Sequence, residues 1–253
     1  MDTKRYTLFD TIRGITIISM ILYHECWDLV YFRMGLDSQF LGSTGAYVWQ
    51  QSICYTFILL AGFCFCFGKH HLKRGLLSLG GGIVITIVTT IFLPDARDIF
   101  GVLWLIGSSI LIMILIDRIL PKNRATAIVG LAVSIILFAI FRNINAGFLG
   151  FERMNICRLP ENLYSGYVMT FLGFQDPKFY SSDYFSLIPW FFLFTTGYFL
   201  NKMLECTHFF DGKILKKGIR PLSFIGRHSL IIYMLHQVVL YGVTYLVWYI
   251  CYS

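Results

Sequence analysis

The groups able to do acid–base chemistry in this sequence lie in runs where charge is costly. The segment LFDTIRGITIISMILYHECWDLVYF carries Asp10, Arg13, His24 and Asp28 among apolar neighbours. Residues three and four apart share a helix face, so Asp10 faces Arg13 and His24 faces Asp28. Arg13 and His24 are separated by about 16 Å of helix rise at 1.5 Å per residue. One face of one helix therefore offers a cation near one end and a His–carboxylate pair near the other. A carboxylate one turn away holds an imidazole in one tautomer and stabilises its protonated form, which suits a general base acting on a hydroxyl or amine. The alternative reading is a solvated pair at a membrane interface.

A second set lies in SFIGRHSLIIYMLHQVVLYGVTYLVWYI. Arg227 and His228 stand at its start. His236 follows about 13 Å deeper if the helix is continuous, with Gln237 beside it. A histidine in mid-span serves either as a hydrogen bond between helices or as a second acid–base or substrate-binding group.

The elements that must position these groups follow from composition. The chain has 253 residues, 57% of them hydrophobic and only 14% charged, with a mean hydropathy of +0.67. Soluble domains carry about 25% charge. A soluble, disordered, collagen-like or disulfide-scaffold protein is excluded on these values. A bilayer-crossing helix needs about 20 mainly apolar residues. That rule marks about seven spans, at 10–32, 47–68, 75–93, 99–119, 125–141, 184–203 and 226–250. The stretch 163–174 (LYSGYVMTFLGF) is half that length and reads as a re-entrant or interfacial piece. The runs are continuous rather than alternating, so a β-barrel is not expected. The fold class is all-α, a polytopic transmembrane helix bundle. It is read as one domain over 1–253 with an extracytoplasmic cap or loop at 142–183.

The net charge is +7. Most of the basic residues fall in 1–13, 69–74, 118–124 and 202–227, which puts the N-terminus in the cytoplasm. The excess therefore reads as an orientation signal rather than a nucleic-acid surface. No cleavable signal peptide is read, because Asp10 and Arg13 open the first apolar run and no small-residue cleavage site follows. The seven cysteines show no metal-ligand spacing, and Cys64 and Cys66 read as packing residues. Gly62, Gly107 and Gly197 are placed to let helices approach closely. KHHLKR (69–74) reads as an orientation signal, with contact to the phosphates of a cytosolic cofactor as the alternative.

These residues carry a resemblance. RYTLFDTIRGITIISMILYHECWDL, with Arg5, Asp10, Arg13, Gly14, Met20, His24 and Asp28, resembles the opening signature of the heparan-α-glucosaminide N-acetyltransferase catalytic-domain family. YTFILLAGFCF, IFGVLWLIGSS, SSDYFSLIPWFFLFTTGYFL and LSFIGRHSLIIYMLHQ resemble its later blocks, in order, over residues 5–237. The resemblance implies a polytopic acyltransferase that takes acetyl from cytosolic acetyl-CoA and passes it to a sugar on the other side of the membrane. It implies that His24 is the base, with Asp28 behind it, and Arg227 and His236 match the family's late block; His236 is taken as a further catalytic group from its mid-span position. Asp10, Arg13, Arg227, His228 and Trp104 become candidate donor-binding residues.

The expected function is thus acyl transfer from acyl-CoA to a hydroxyl or amine of an extracytoplasmic sugar or glycan, without a metal and without nucleic acid. The expected location is a plasma membrane of bacterial type, and a homo-oligomer is compatible with the sequence. The rival is a transporter or permease using the same His, Asp and Arg groups as a proton or substrate site. It calls for an internal repeat or paired broken helices, and neither is visible.

Overall fold

The computed structural model describes residues 6–252. Arg5, the first residue of the signature, and Lys4 lie outside the described residues. Ten α-helices run in the order α1 (Thr7–Tyr31), α2 (Ser38–Leu41), α3 (Thr44–Phe65), α4 (His71–Phe92), α5 (Val102–Ile119), α6 (Arg124–Phe141), α7 (Tyr167–Leu172), α8 (Leu187–Glu205), α9 (Arg220–Arg227) and α10 (Ser229–Tyr252). One short antiparallel hairpin, β1 (Phe148–Phe151) with β2 (Met154–Arg158), stands between α6 and α7. The chain is an all-α helical bundle protein. Helices α3, α4, α5 and α10, and α6 with the turn that follows it, are long and apolar enough to cross a membrane. Helices α1 and α8 also match expected spans; α1 is set apart by Asp10, Arg13, Glu25 and Asp28, α8 by Pro189, Asn201 and Lys202.

The segment 163–174 holds the six-residue α7, about 9 Å long, too short to cross a bilayer and in keeping with the half-length piece read from the sequence. One expectation is corrected. The last span does not run unbroken through Arg227. Helix α9 ends at Arg227, His228 N–H bonds back to the carbonyls of Phe224 and Ile225, and α10 starts at Ser229. The rise from Arg227 to His236 is therefore not one continuous helix.

The chain falls into two compact units, one of residues 1–57 with 211–253 and the other of residues 58–210. Helix α3 passes through the junction.

In the first unit α1 is held by α9 and α10. The α1–α9 contact is backbone-close because glycines line it: a Cβ on Gly14 would stand 2.0 Å from the Leu222 carbonyl oxygen, and one on Gly226 would stand 1.9 Å from that of Asp10. Any side chain there would force the helices apart. The close approach brings the Thr11 and Ser223 hydroxyls to 2.8 Å and lets Thr7 Oγ1 donate to the Lys216 carbonyl at 2.6 Å. Helix α3 joins through Trp49, whose indole N–H donates to Ser19 Oγ at 2.8 Å.

The second unit repeats the small-residue rule. A Cβ on Gly62 would lie 1.8 Å from the Phe194 carbonyl oxygen, and one on Gly197 would lie 2.0 Å from that of Leu59, so α3 and α8 touch at both expected glycines. Gly107 lets α5 close on α4, where a Cβ would meet Leu79 N at 2.6 Å. Polar residues fasten the seams, with Asn201 Nδ2 donating to the Phe63 carbonyl and Thr196 Oγ1 to Ser134 Oγ. The outward faces stay apolar: Ile87 and Ile91 on α4 and Val129 and Ile136 on α6 are exposed, as a lipid-facing surface requires.

The stretch 142–183, expected as an extracytoplasmic cap or loop, holds the β1–β2 hairpin, α7 and hydrogen-bonded turns. Asn145 Nδ2 donates to the Gly173 carbonyl and Ser186 Oγ, Tyr164 donates to the Ile144 carbonyl, and Tyr184 donates to the Thr170 carbonyl. The strap at 179–186 lies against 96–100, with Ser182 N–H on the Arg97 carbonyl and Phe185 N–H on that of Phe100.

Asp98 is half-buried beside this pairing, and its Oδ1 is enclosed without a hydrogen-bond partner. Burial raises the Asp98 carboxyl to about 8, and the charge of Asp183 pushes the same way. The ordinary carboxyl value is 3.8, so the folded state holds an extra proton between about pH 4 and 8 and loses stability as pH rises through that window. Melting in detergent between pH 5 and 9 should show a falling Tm in the wild type and a flatter profile in Asp98→Asn. A wild-type profile that rises with pH, or an unchanged one in the variant, would remove Asp98 as the cause.

Candidate active site

The site is built on α1, α9 and α10 of the first unit. At the start of α1 the Asp10 carboxylate lies between two guanidiniums, 3.6 Å from Arg13 and 3.5 Å from Arg227. The Asp10–Arg13 contact is the expected one across a helix turn. The contact with Arg227 exists because Gly226 and Gly14 let α9 press onto α1. Asp10 is buried, while the Arg227 side chain is 41% exposed, so this cluster presents a positive face held by a sunken anion.

Further along α1, His24 meets α10. The His24 and His236 rings stand 4.9 Å apart, centroid to centroid, at 63°. His236 Nδ1 lies 2.6 Å from the Tyr233 carbonyl oxygen. A carbonyl only accepts, so Nδ1 carries the hydrogen and Nε2 of the neutral ring carries the lone pair. Tyr233 stacks on Phe57 and packs tilted against His236, and Tyr23 packs edge-on to both His24 and Trp49. The two imidazoles therefore sit in an aromatic wall that limits their rotation.

Asp28 is corrected in its contacts. It does share the seam, at 5% exposure, but its Oδ1 accepts from Gln237 Nε2 on α10 at 3.1 Å. Its Oδ2 is buried without a hydrogen-bond partner. The His24–Asp28 pair drawn from helical spacing is thus replaced by a His24–His236 pair and an Asp28–Gln237 pair. Helical spacing places two side chains on one face, but a neighbouring helix that offers a better-aimed donor takes the carboxylate. A second carboxylate missed in the sequence, Glu25, accepts from Thr244 Oγ1 at 3.2 Å. Its place one residue after His24 was the only sign of it.

Two other candidates have partners of their own. His228 turns Nδ1 onto the Phe224 carbonyl at 2.9 Å and packs on the Phe224 ring. Trp104 belongs to the second unit, where its indole N–H donates to Thr86 Oγ1 at 3.0 Å.

Apolar helices long enough to cross a bilayer define an integral membrane protein, and ionisable groups gathered in a helix–helix seam of such a protein make that seam the candidate functional centre. The model of the family described as heparan-alpha-glucosaminide N-acetyltransferase, catalytic, matches residues 5–238, and the chain belongs to that family. Membership places it in the class of transmembrane acetyltransferases, in which acetyl-CoA is the general donor. No curated protein and no solved structure matches the chain.

Proposed function

We propose that this protein transfers an acetyl group from cytosolic acetyl-CoA to a hydroxyl or amine of an extracytoplasmic sugar, from a plasma membrane in which its N-terminus is cytoplasmic. The observation that carries the reading is the division of α1 into two chemical ends. The Asp10–Arg13–Arg227 cluster offers guanidiniums to the phosphates of a nucleotide-bearing donor. About 16 Å further along the helix, the paired imidazoles offer a proton acceptor.

The chemistry needs both ends. The acceptor O–H or N–H gives its proton to an imidazole, and its oxygen or nitrogen bonds to the thioester carbonyl carbon. The carbon–sulfur bond then breaks, and the CoA thiolate recovers the proton from the imidazolium. The fixed lone pair on His236 Nε2 and the adjoining His24 ring suit this shuttle.

The test is purified protein in detergent with radiolabelled acetyl-CoA and a panel of sugars and amino sugars, beside a thermal shift with CoA. Ligand at 100 times its Kd adds about 2.7 kcal/mol to the folded state. Stabilisation by CoA with label passing to a sugar is the expected result. A chain that neither melts later with millimolar CoA nor transfers label is not an acetyltransferase of this kind.

A further inference from the structure

We infer that Asp28 is a neutral carboxylic acid joined to the Gln237 amide by two hydrogen bonds, and that this pair is the device that holds His236 against His24. The catalytic role rests on the acetyl-transfer reading above; the protonation state does not. Asp28 is 5% exposed. Its Oδ1 accepts from Gln237 Nε2 at 3.1 Å, and this neutral amide is the one hydrogen-bond partner of the carboxyl among the described residues. No cation among them is ion-paired with Asp28; Arg13 and Arg227 both go to Asp10. A charge buried without a partner is so costly that the group gives up the charge instead. The two atoms left over point to where the proton sits. Asp28 Oδ2 and Gln237 Oε1 are both enclosed without a hydrogen-bond partner. As a carboxylate, Asp28 takes one bond from the amide and strands both oxygens, and buried polar atoms are rarely left so. As an acid it forms two: Nε2–H donates to Oδ1, and Oδ2–H donates to Oε1. One proton thus relieves both oxygens. The second Nε2 hydrogen lies outside this ring and is not used by it.

The pair acts on the site through the two helices it joins. Asp28 lies one turn beyond His24 on α1, and Gln237 directly follows His236 on α10. A planar two-bond ring fixes the rotation of α10 against α1 more firmly than a single bond does. That rotation is what keeps the His236 ring 4.9 Å from the His24 ring. Neutrality matters as well. A carboxylate in this place stabilises the imidazolium that forms when the acceptor gives up its proton. With Asp28 uncharged, that proton is not trapped in the seam and passes on to the CoA thiolate. The proton on Asp28 stays where it is, so the balance of the transfer is unchanged. Asp28 and Gln237 are positioning residues, and neither exchanges a proton with substrate.

The direct test is the infrared spectrum of the purified chain in detergent at neutral pH. The difference between wild type and Asp28→Asn should contain the C=O stretch of a protonated carboxylic acid, displaced on exchange into D2O. The Asp98 carboxyl, also held protonated, is common to both proteins and cancels. Carboxylate bands in place of that stretch overturn the inference whatever the activity. The functional arm measures transfer from acetyl-CoA by Asp28→Leu, Gln237→Leu and Asp28→Asn. The two leucine variants should each lose about 100-fold in kcat, the cost of misplacing a reacting group by about 1 Å, while stabilisation by CoA is kept. Asparagine offers an N–H and a C=O in the places of the acid's O–H and C=O, so Asp28→Asn should recover most of that loss. An ionised Asp28 predicts the reverse. Replacing a working carboxylate behind a histidine by its amide costs about 10⁴-fold, and a loss of that order in Asp28→Asn with an unchanged Tm overturns the inference. An acid band in a wild type that transfers no acetyl overturns the functional reading and the positioning role with it, and leaves Asp28 a neutral acid.

Discussion

His236→Ala is expected to cut acetyl transfer by 10²–10⁴-fold, the range for losing a positioned general acid–base group. The ring is held by three constraints that do not depend on substrate: the hydrogen bond of Nδ1 to the Tyr233 carbonyl, the tilted Tyr233 ring, and the His24 ring at 4.9 Å. These fix both the orientation and the tautomer, and they leave Nε2 as the basic nitrogen. His24→Ala should cost a similar factor, since the neighbouring imidazole shares the proton held between base and leaving thiolate. If the rings act as one relay, the double variant should be little worse than either single one, because groups that work as a unit are strongly non-additive. Each variant should still be stabilised by CoA, as neither ring belongs to the Asp10 cluster. A His236→Ala protein with full transfer activity would end the assignment. Losses that multiply in the double variant would separate the two histidines into independent roles.

The second large effect concerns the other end of α1. Arg227→Ala and Arg13→Ala should each raise the Kd for CoA by about 10- to 150-fold, the equivalent of the 1.5–3 kcal/mol assigned to a hydrogen bond with a charged group. Asp10→Ala should behave differently. Asp10 is buried and its carboxylate lies against both guanidiniums, so its removal leaves two cations facing each other at the α1–α9 contact. The expected result is a lower Tm together with weaker CoA binding, whereas the two arginine variants lose affinity with a smaller stability change. The Arg13 side chain is 21% and that of Arg227 41% exposed, which limits what each contributes to folding. The discriminating ligand is dephospho-CoA. An arginine that grips the ribose phosphate loses its effect when that phosphate is absent, and an arginine that acts only on α1–α9 packing affects both ligands equally. Calorimetric affinities for CoA unchanged in both arginine variants would move the donor site away from this cluster.

Most of the helical framework was legible before any coordinates. The seven apolar runs coincide with α1, α3, α4, α5, α6, α8 and α10 to within a few residues, because the thickness of a bilayer leaves little choice of length for a hydrophobic segment. The glycines at 62, 107 and 197 were legible for a related reason: in lipid, helices associate by close packing, and a missing Cβ is the clearest mark of where backbones meet. Asp10 and Arg13 were legible because both partners sit on one helix, where spacing sets distance. The failures share the opposite cause. The break at His228 depends on α9 lying across α1. The partial burial of Asp98 needs a strap about 85 residues further along the chain to lie against it.

The sequence by itself determined that this chain is a bundle of membrane-length helices, which of its polar groups are out of place in lipid, and how far apart they stand along each helix, since these follow from hydropathy and a fixed rise per residue. Only the tertiary structure decided the partners. Asp28 was free to serve His24 or another helix, and the approach of α10 gave it to Gln237, leaving His24 to face His236. Arg227 could not be joined to Asp10 from spacing, because two glycines on different helices had first to bring those backbones into contact. Rotation of one helix about its axis by a single residue, about 100°, would exchange all of these pairs without altering one apolar run.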